Sequence, residues 1–233
     1  MYHPIDSTFS KRVRPVASAQ GRLVPVVRVC NRWMIARILS SVMRYRPEHK
    51  ANVHQKIVKD ASRRVRAEGL GGAAVAAVMR DTGLTHGGFY KHFGSKDELL
   101  MESLREAFRE FEDTLISAAE ESHPQAAWKG IVKAYLSPEY CEHADRGCPL
   151  TALSPELARS GKRMRRQIFA ELVKYKDRML PFMPGQRTSD KERAFFVIFS
   201  TMVGAVEIAR MLPDRAAQEK VLASAREFLL SSF

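Results

Sequence analysis

The sequence is poor in cysteine and lacks a long uninterrupted hydrophobic run. Its three cysteines, Cys30, Cys141 and Cys148, are too few for a disulfide framework in 233 residues, which is typical of a reducing cytoplasm. Arginines interrupt the moderately apolar stretch 23–43. It therefore resembles neither a secretion signal nor a membrane span of about 18 apolar residues. We expect a cytoplasmic protein that has no membrane partner.

Common catalytic signatures are also missing. The sequence contains no Gly-x-Ser-x-Gly, no His-Glu-x-x-His and no Gly-x4-Gly-Lys-Ser/Thr, the patterns of many hydrolases, zinc proteases and nucleotide-binding loops. Residues 88–96 superficially resemble a phosphate loop, but the spacing differs and no strand precedes them. We therefore expect no catalytic residues, no cofactor and no metal, and an enzyme is kept only as a rival class.

Positive charge is concentrated in the first two fifths of the chain. The net charge is +12, which favours a polyanionic partner. It divides into +8 for residues 1–47, +5 for residues 48–96 and −1 for residues 97–233. The carboxyl-terminal part is balanced and does not attract phosphates by its average charge. A basic protein that binds nucleic acid without sequence preference is therefore one alternative.

The segment that begins at residue 73 predicts a short helix followed by a tight turn. Val75, Val78 and Met79 are spaced at i, i+3 and i+4, so they form one apolar face. Gly83 then supplies the backbone freedom that a tight turn needs, and Leu84 can return to the core.

A second short helix is predicted at Thr85–Phe93. Phe89 and Phe93, four residues apart, anchor its inner side, while side chains such as Tyr90 and Lys91 face outward. Two helices joined in this way make a helix-turn-helix, whose second helix enters the DNA major groove. The alternatives are that this helical pair is only a scaffold, or that the paired glycines at 87 and 88 form a plain loop.

The rest of the chain predicts an all-α protein of about nine helices with no sheet. Ser95 and Glu98 form a capping box that opens a long helix between the two domains. Further helices are predicted at 32–44, 50–68, 126–140, 149–159, 161–180, 190–212 and 215–230, with breaks at prolines such as Pro47.

We predict three regions along the chain. Residues 1–47 form a basic, disordered extension, and residues 1–42 are either a real arm or an upstream in-frame translation before Met43. Residues 48–96 form the helix-turn-helix domain, and residues 97–233 form a helical ligand-binding and dimerisation domain.

The motif residues resemble the tetracycline-repressor (TetR) family of bacterial transcription regulators. The similarity is carried by Gly83-Leu84-Thr85, Gly88-Phe89-Tyr90, His92-Phe93 and Ser95-Lys96-Asp97-Glu98-Leu99. It is strong over residues 50–115, and beyond these only the helix count matches. The resemblance implies a homodimer that binds a palindromic double-stranded DNA operator, most often as a repressor, and releases it when a small-molecule inducer binds.

The same resemblance implies roles for individual residues. Thr85 lies at the start of the recognition helix, and His86 and Gly87 face bases. Tyr90 and His92 correspond to positions that contact phosphate. Lys96 opens the next helix, where its charge and the backbone N–H groups bind phosphate together. Together with the outward-facing Lys91, these residues make up the predicted DNA-binding set.

Two further sets of residues are expected in the carboxyl-terminal domain. The residues predicted to line a ligand pocket are Phe108, Phe111, Trp128, Tyr135, Cys148, Leu153, Phe169 and Phe199. The residues predicted at the dimer interface are Phe196, Val203, Gly204, Leu222 and Phe228. The stripe of small and apolar residues in the last two helices favours a four-helix interface between subunits.

The stretch from Cys141 to Cys148 allows three interpretations. Its Cys, His and Asp side chains could ligate zinc, although the spacing lacks the usual Cys-x-x-Cys start. Cys148 precedes a possible helix start and lies near Arg146, which would lower its pKa and make it a redox or electrophile sensor. It could also be an ordinary small residue beside the pocket.

Overall fold

A computed structural model describes the backbone of residues 32–233 and the side chains of residues 48–233 except that of His86. This part of the chain is all-α, with nine α-helices and no strand, which confirms the predicted fold class. The helices are α1 Arg32–Glu68, α2 Val75–Asp81, α3 Lys96–Glu120, α4 Ala127–Tyr135, α5 Pro138–Glu142, α6 Pro149–Arg159, α7 Lys162–Met179, α8 Thr188–Met211 and α9 Arg215–Ser232.

The described residues 32–50 belong to one compact unit, and residues 51–233 form a second, separate one. In the first unit the backbone is helical from Arg32 onward. The predicted break at Pro47 is wrong, because an internal proline removes one backbone hydrogen bond without obliging the helix to end. The prediction of a disordered extension falls mainly on residues 1–31, which lie outside the described residues.

The second unit begins with a small three-helix core. Ile57 and Ala61 on α1 pack with Val78 and Met79 on α2 and with the paired aromatic rings that follow. Helix α1 ends before Gly69, whose φ of 78° is the left-handed conformation expected at a helix end. This core fixes the entry and exit of the helix-turn-helix.

Helix α3 connects this core to the rest of the second unit. Its first turns place Leu99 and Leu100 in separate hydrophobic clusters, and Phe111 belongs to the large carboxyl-terminal core further along. The helix is 25 residues long and presents buried residues on most of its turns. It therefore contributes to all three of these hydrophobic clusters, as expected of the long connecting helix predicted from the sequence.

A buried arginine joins α1 to two later segments. The guanidinium of Arg66 donates to Glu110 on α3 at 2.5 Å and to the carbonyl of Gly147 at 3.4 Å. It also donates to the carbonyl and hydroxyl of Ser62, one turn earlier. The side chain is fully buried, so its charge is balanced by hydrogen-bonded partners rather than by water.

The predicted helix at 126–140 is interrupted. Helix α4 ends at Tyr135, and α5 begins at Pro138 with the Ser137 hydroxyl accepting from the backbone N–H of Tyr140 at 3.1 Å. Proline is favoured at the first helical position and disfavoured in the interior, which explains why the chain starts a new helix there.

Helix α8 is apolar enough, by length and composition, to cross a membrane. An 18-residue window within its 24 residues has a mean hydropathy of 1.6, and 44% of that window is buried in the fold. Ala194, Ile198 and Val206 on α8 belong to the large core. A core helix of a soluble protein meets the same criterion, and the packing of α8 accords with that role.

Candidate nucleic-acid interface

The turn after α2 has the geometry that the sequence predicts. Gly83 has a φ of 75°, a conformation that favours glycine. The N–H of Leu84 donates to the carbonyl of Met79 at 2.8 Å, and the hydroxyl of Thr82 donates to the carbonyl of Val78 at 3.0 Å. These bonds satisfy the end of α2 and turn the chain sharply.

The second element of the motif is a 3-10 helix at His86–Lys91, not the predicted α-helix at Thr85–Phe93. The N–H of Gly88 donates to the carbonyl of Thr85 at 2.9 Å, three residues earlier. Adjacent glycines at 87 and 88 disfavour an α-helix by about 1 kcal/mol each, so the segment adopts short i to i+3 turns. Packing of the two phenylalanines holds it in place.

Phe89 and Phe93 anchor this segment, as predicted. Both are buried, and their ring centroids lie 5.4 Å apart. Phe93 also stacks on the ring of His54 from α1 at 4.5 Å, and His54 contacts the Glu102 carboxylate at 2.6 Å. Sequence reasoning missed His54 and Glu102, since nothing local marks two residues 48 positions apart as partners.

Most of the predicted DNA-binding residues lie on the outer surface of the motif. Tyr90 is 69% exposed, and Thr85, Lys91 and Lys96 are also exposed, whereas His92 is half-buried. A Cβ added at Gly87 would meet no atom within 4 Å. Packing within the chain therefore does not require a glycine at this position. The side chain of His86 lies outside the described residues.

The start of α3 is capped by its own side chains. The Ser95 hydroxyl accepts from the N–H of Glu98 at 3.1 Å, as the capping box predicts. The Glu98 carboxylate, however, accepts from the N–H of Gly94 at 2.6 Å rather than from that of Ser95. This arrangement orders the backbone next to Lys96, the first residue of the helix.

The residues predicted to bind a ligand do not form one cavity. Phe111, Trp128, Tyr135 and Cys148 lie in the large core. The buried residues Phe108 and Leu153 are also part of the interior. Of the predicted set, only Phe169 and Phe199 line the groove between α6, α7 and α8.

This groove lies between α6, α7 and α8 and has a volume of about 610 Å³. Its walls are mostly apolar, with Leu150, Leu172 and Val173 beside four phenylalanines. Its polar groups include Lys176, which donates to Glu192 at 2.5 Å, and Glu207, which accepts from Ser154 at 2.8 Å. The volume falls within the usual range of small-molecule sites. Its lining residues are Leu150, Ser154, Phe169, Leu172, Val173, Lys176, Glu192, Phe195, Phe196, Phe199, Ser200, Val203, Gly204 and Glu207.

The environment of Cys148 differs from the sequence prediction. Its side chain is fully buried, and burial raises the pKa of the thiol. The expected lowering of this pKa is wrong, because Arg146 is exposed and pairs with Asp145. The N–H of Cys148 instead donates to the hydroxyl of Tyr140. Among the described side chains of residues 48–233, which do not include that of His86, no cluster of three or more potential metal ligands occurs.

The residues predicted at the dimer interface fall into two classes. Phe196 is 57% exposed and Phe228 is 59% exposed, while Val203 and Gly204 are half-buried. Leu222, by contrast, is fully buried in the core of its own subunit. Phe196, Val203 and Gly204 also line the groove described above, so one surface carries residues from both predicted sets.

Comparisons with known proteins agree on the fold. The family model of bacterial regulatory proteins of the tetR family matches residues 57–102. A TetR transcriptional regulator from Chloroflexus aurantiacus is similar in structure, with a TM-score of 0.64 and 20% identity over 78% of this chain and 96% of that chain. A TetR-family regulator from Cytophaga hutchinsonii also has a TM-score of 0.64, with 17% identity over the same shares.

A third structure is the fatty acid degradation regulator FadR from Bacillus halodurans. It has a TM-score of 0.58 and 18% identity over 78% of this chain and 96% of that chain. Comparison with curated protein sequences gives no match.

Proposed function

We propose that the chain is a TetR-family transcriptional regulator that acts as a ligand-responsive repressor, because residues 57–102 match the tetR family model and its fold resembles those of TetR-family regulators. In this proposal it acts in the cytoplasm as a homodimer, binds a palindromic operator, and is released from it by a small-molecule inducer.

The observation that carries this proposal is the exposed polar surface on a buried aromatic anchor. Tyr90 and Lys91 lie outside, while Phe89 and Phe93 hold the same short segment from inside. Side chains on such a surface reach phosphates and base edges without disturbing the core. Phosphate contacts supply affinity, and a few base contacts supply sequence preference.

We assign the phosphate contacts to Thr85, Tyr90, His92 and Lys96, and the base contacts to the segment at Gly87 with its neighbour His86. Lys96 adds its charge to the first backbone N–H groups of α3, an arrangement that favours anions. The open space over Gly87 lets the backbone approach the duplex closely.

The proposed dimer uses the exposed faces of α8 and α9. Large apolar side chains on these faces, Phe196, Ile208, Met211 and Phe228, are between 49% and 75% exposed. Clustered exposed apolar residues are typical of subunit contacts. Two such faces from two subunits make a four-helix interface, which places two reading heads about 34–36 Å apart on one side of the duplex.

The proposed inducer site is the groove between α6, α7 and α8, whose α8 wall at Phe196, Val203 and Gly204 adjoins the proposed dimer face. Its apolar walls and few polar groups fit a mainly apolar molecule with one polar end near Lys176 or Glu207. The alternative of a Cys148-based sensor gains no support from the environment of that thiol, since a buried thiol with a raised pKa reacts slowly.

Selection of bound DNA from a random pool tests the proposal. We expect the wild-type protein to enrich a palindrome and to prefer it over unrelated DNA by about 10³-fold or more. The Tyr90→Ala variant should lose most of this affinity, because it removes a proposed phosphate contact. Tyr90 is exposed, so the substitution leaves the core intact. Lys133→Ala, which removes an exposed cation on α4, is the matched control. Absence of any enriched sequence with the wild-type protein would refute the proposed function.

A further inference from the structure

The turn between α6 and α7 carries a dense cluster of cations, named here the α7 basic turn. Its residues are Arg159, Lys162, Arg163, Arg165 and Arg166. No acidic residue occurs between 159 and 166. All five side chains are exposed, and none takes part in an ion pair among the residues that the structure describes.

This charge is local and does not stabilise the helix. Residues 97–233 carry a net charge of −1, so the five cations of the α7 basic turn form a positive patch on a domain whose other residues carry a net charge of −6. The first turn of α7 contains no acidic residue. Cations at the amino-terminal end of a helix oppose the helix dipole. The cluster therefore has an electrostatic cost within the free subunit and attracts anions from outside.

Helix α7 runs parallel to α3 in a fixed register. Arg105 on α3 donates to Glu171 on α7 at 3.2 Å. One heptad further along both helices, Arg178 on α7 donates to Glu112 on α3 at 2.6 Å. The two pairs share the same separation of 66 residues, so the helices point in the same direction. In this register Lys162 lies at the level of Lys96.

The α7 basic turn is also packed against the amino-terminal domain. Leu157 and Met164, on either side of the turn, share a hydrophobic cluster with Leu100 at the start of α3. The N–H of Leu70 donates to the Glu156 carboxylate at 2.7 Å. The turn is therefore held against the start of α3 and the 3-10 turn after α1, both of which belong to the amino-terminal domain.

We infer that the α7 basic turn is a second DNA-backbone contact, which binds phosphates adjacent to those held by the helix-turn-helix. The inference rests on the proposed function and adds a surface from the carboxyl-terminal domain. Packed helices lie about 8–10 Å apart, and duplex DNA carries one phosphate charge per roughly 1.7 Å of its axis. Long arginine side chains at the amino-terminal end of α7 therefore meet phosphates next to those near Lys96.

These contacts strengthen binding without reading sequence. Arginine at a phosphate releases counterions and makes affinity salt-dependent, whereas base edges determine which sequence is preferred. Loss of the basic turn should therefore weaken operator and unrelated DNA alike. This distinguishes it from the base-contacting segment at His86 and Gly87, whose loss changes the preference.

The test compares salt dependence in three variants of the full chain. Arg163→Gln/Arg166→Gln removes four charges per dimer, so log K against log salt should become less steep by about 3–4, with at least ~10-fold weaker binding near 0.1 M salt. Arg163→Lys/Arg166→Lys keeps the charges and should retain the wild-type slope. Lys133→Gln/Arg193→Gln removes the same number of exposed cations elsewhere and should also retain it.

A slope of the glutamine variant equal to that of the Lys133/Arg193 control overturns the inference. Loss of binding to anionic lipid vesicles with an unchanged DNA slope would overturn it too, and would assign the turn to a membrane surface. The proposed function fails separately if the wild-type protein shows no preferred sequence. In that case a slope change in the glutamine variant still supports a backbone contact.

Discussion

Two buried glutamates on α3 have pKa values that are shifted in opposite directions. Burial raises the pKa of Glu112 above its ordinary value, and the ion pair with Arg178 only partly offsets this. The hydrogen bond from Arg109, at 2.8 Å, lowers the pKa of Glu106. The difference lies in the neighbours, since the two positions are only six residues apart on one helix.

The stability of the Glu112→Gln variant relative to wild type should therefore increase as pH rises. A carboxyl whose pKa is raised by folding contributes stability below its unfolded pKa, and this stability is lost as pH rises through the folded pKa. Relative to wild type, the free energy of unfolding of Glu112→Gln should increase between about pH 4 and about pH 7. Urea unfolding at both pH values measures it.

Glu106→Gln is the matched control with the opposite sign. The lowered pKa of Glu106 means that its contribution is present above the unfolded pKa and lost as pH falls through the folded pKa. This variant should lose stability relative to wild type as pH rises. Parallel pH trends for the two variants would contradict the assignment.

Helices α3 and α4 approach each other closely at Gly130. Gly130 on α4 faces the backbone of Ala118 and the side chain of Ser122, and a Cβ at that position would overlap both. Glycine is needed there for close approach, although it weakens a helix interior. Gly71, in the 3-10 turn after α1, has open space around it.

Gly130→Ala should destabilise the protein by about 1–3 kcal/mol, because α3 and α4 must separate to accept the methyl group. Gly71→Ala should be neutral or stabilising by up to ~1 kcal/mol, since it restricts only the unfolded chain. Thermal or urea unfolding compares the two. Equal effects of both substitutions would rule out close packing as the reason for Gly130.

At the scale of the whole molecule, the proposed function depends on two subunits holding their reading heads at a fixed spacing. The α8 surface that supplies the proposed interface is apolar at Phe196 and Met211 and has little bulk at Gly204. A charge introduced into such a surface is costly in the dimer and solvated in the monomer.

Val203→Glu should give monomers that lose operator binding, with a helical circular dichroism spectrum like that of the wild type. Light scattering and an operator-binding assay measure the two effects. Lys133→Glu, on the exposed side of α4, should remain dimeric and bind DNA. A dimeric Val203→Glu protein would contradict the placement of the interface.

The sequence alone predicted the parts of the site that depend on local chemistry. Gly83 marks the turn because of its conformation, Ser95 marks the helix cap, and the spacing of Phe89 and Phe93 marks the inner side. Each of these signals acts within a few residues. The 3-10 geometry at His86–Lys91 was missed, although the paired glycines at 87 and 88 are a local signal against an α-helix there.

Properties that depend on distant partners could not be predicted. Arg66 occupies a helix position that suggests a solvent-facing cation, yet it is buried because Glu110 and Gly147 come to it from 44 and 81 residues away. The aromatic residues chosen for a pocket illustrate the same limit. Tyr135 and Phe169 share a residue class, but only the packing of α7 and α8 places one in the core and the other in the groove.

The two ion pairs that link α7 to α3 have a mechanical consequence. The same helix that they fasten to α3 also forms one wall of the groove, through Phe169 and Val173. A ligand that moves this wall away from α8 must either break the Arg105–Glu171 and Arg178–Glu112 pairs or displace α3 together with α7. The residue at the amino-terminal end of α3 is Lys96.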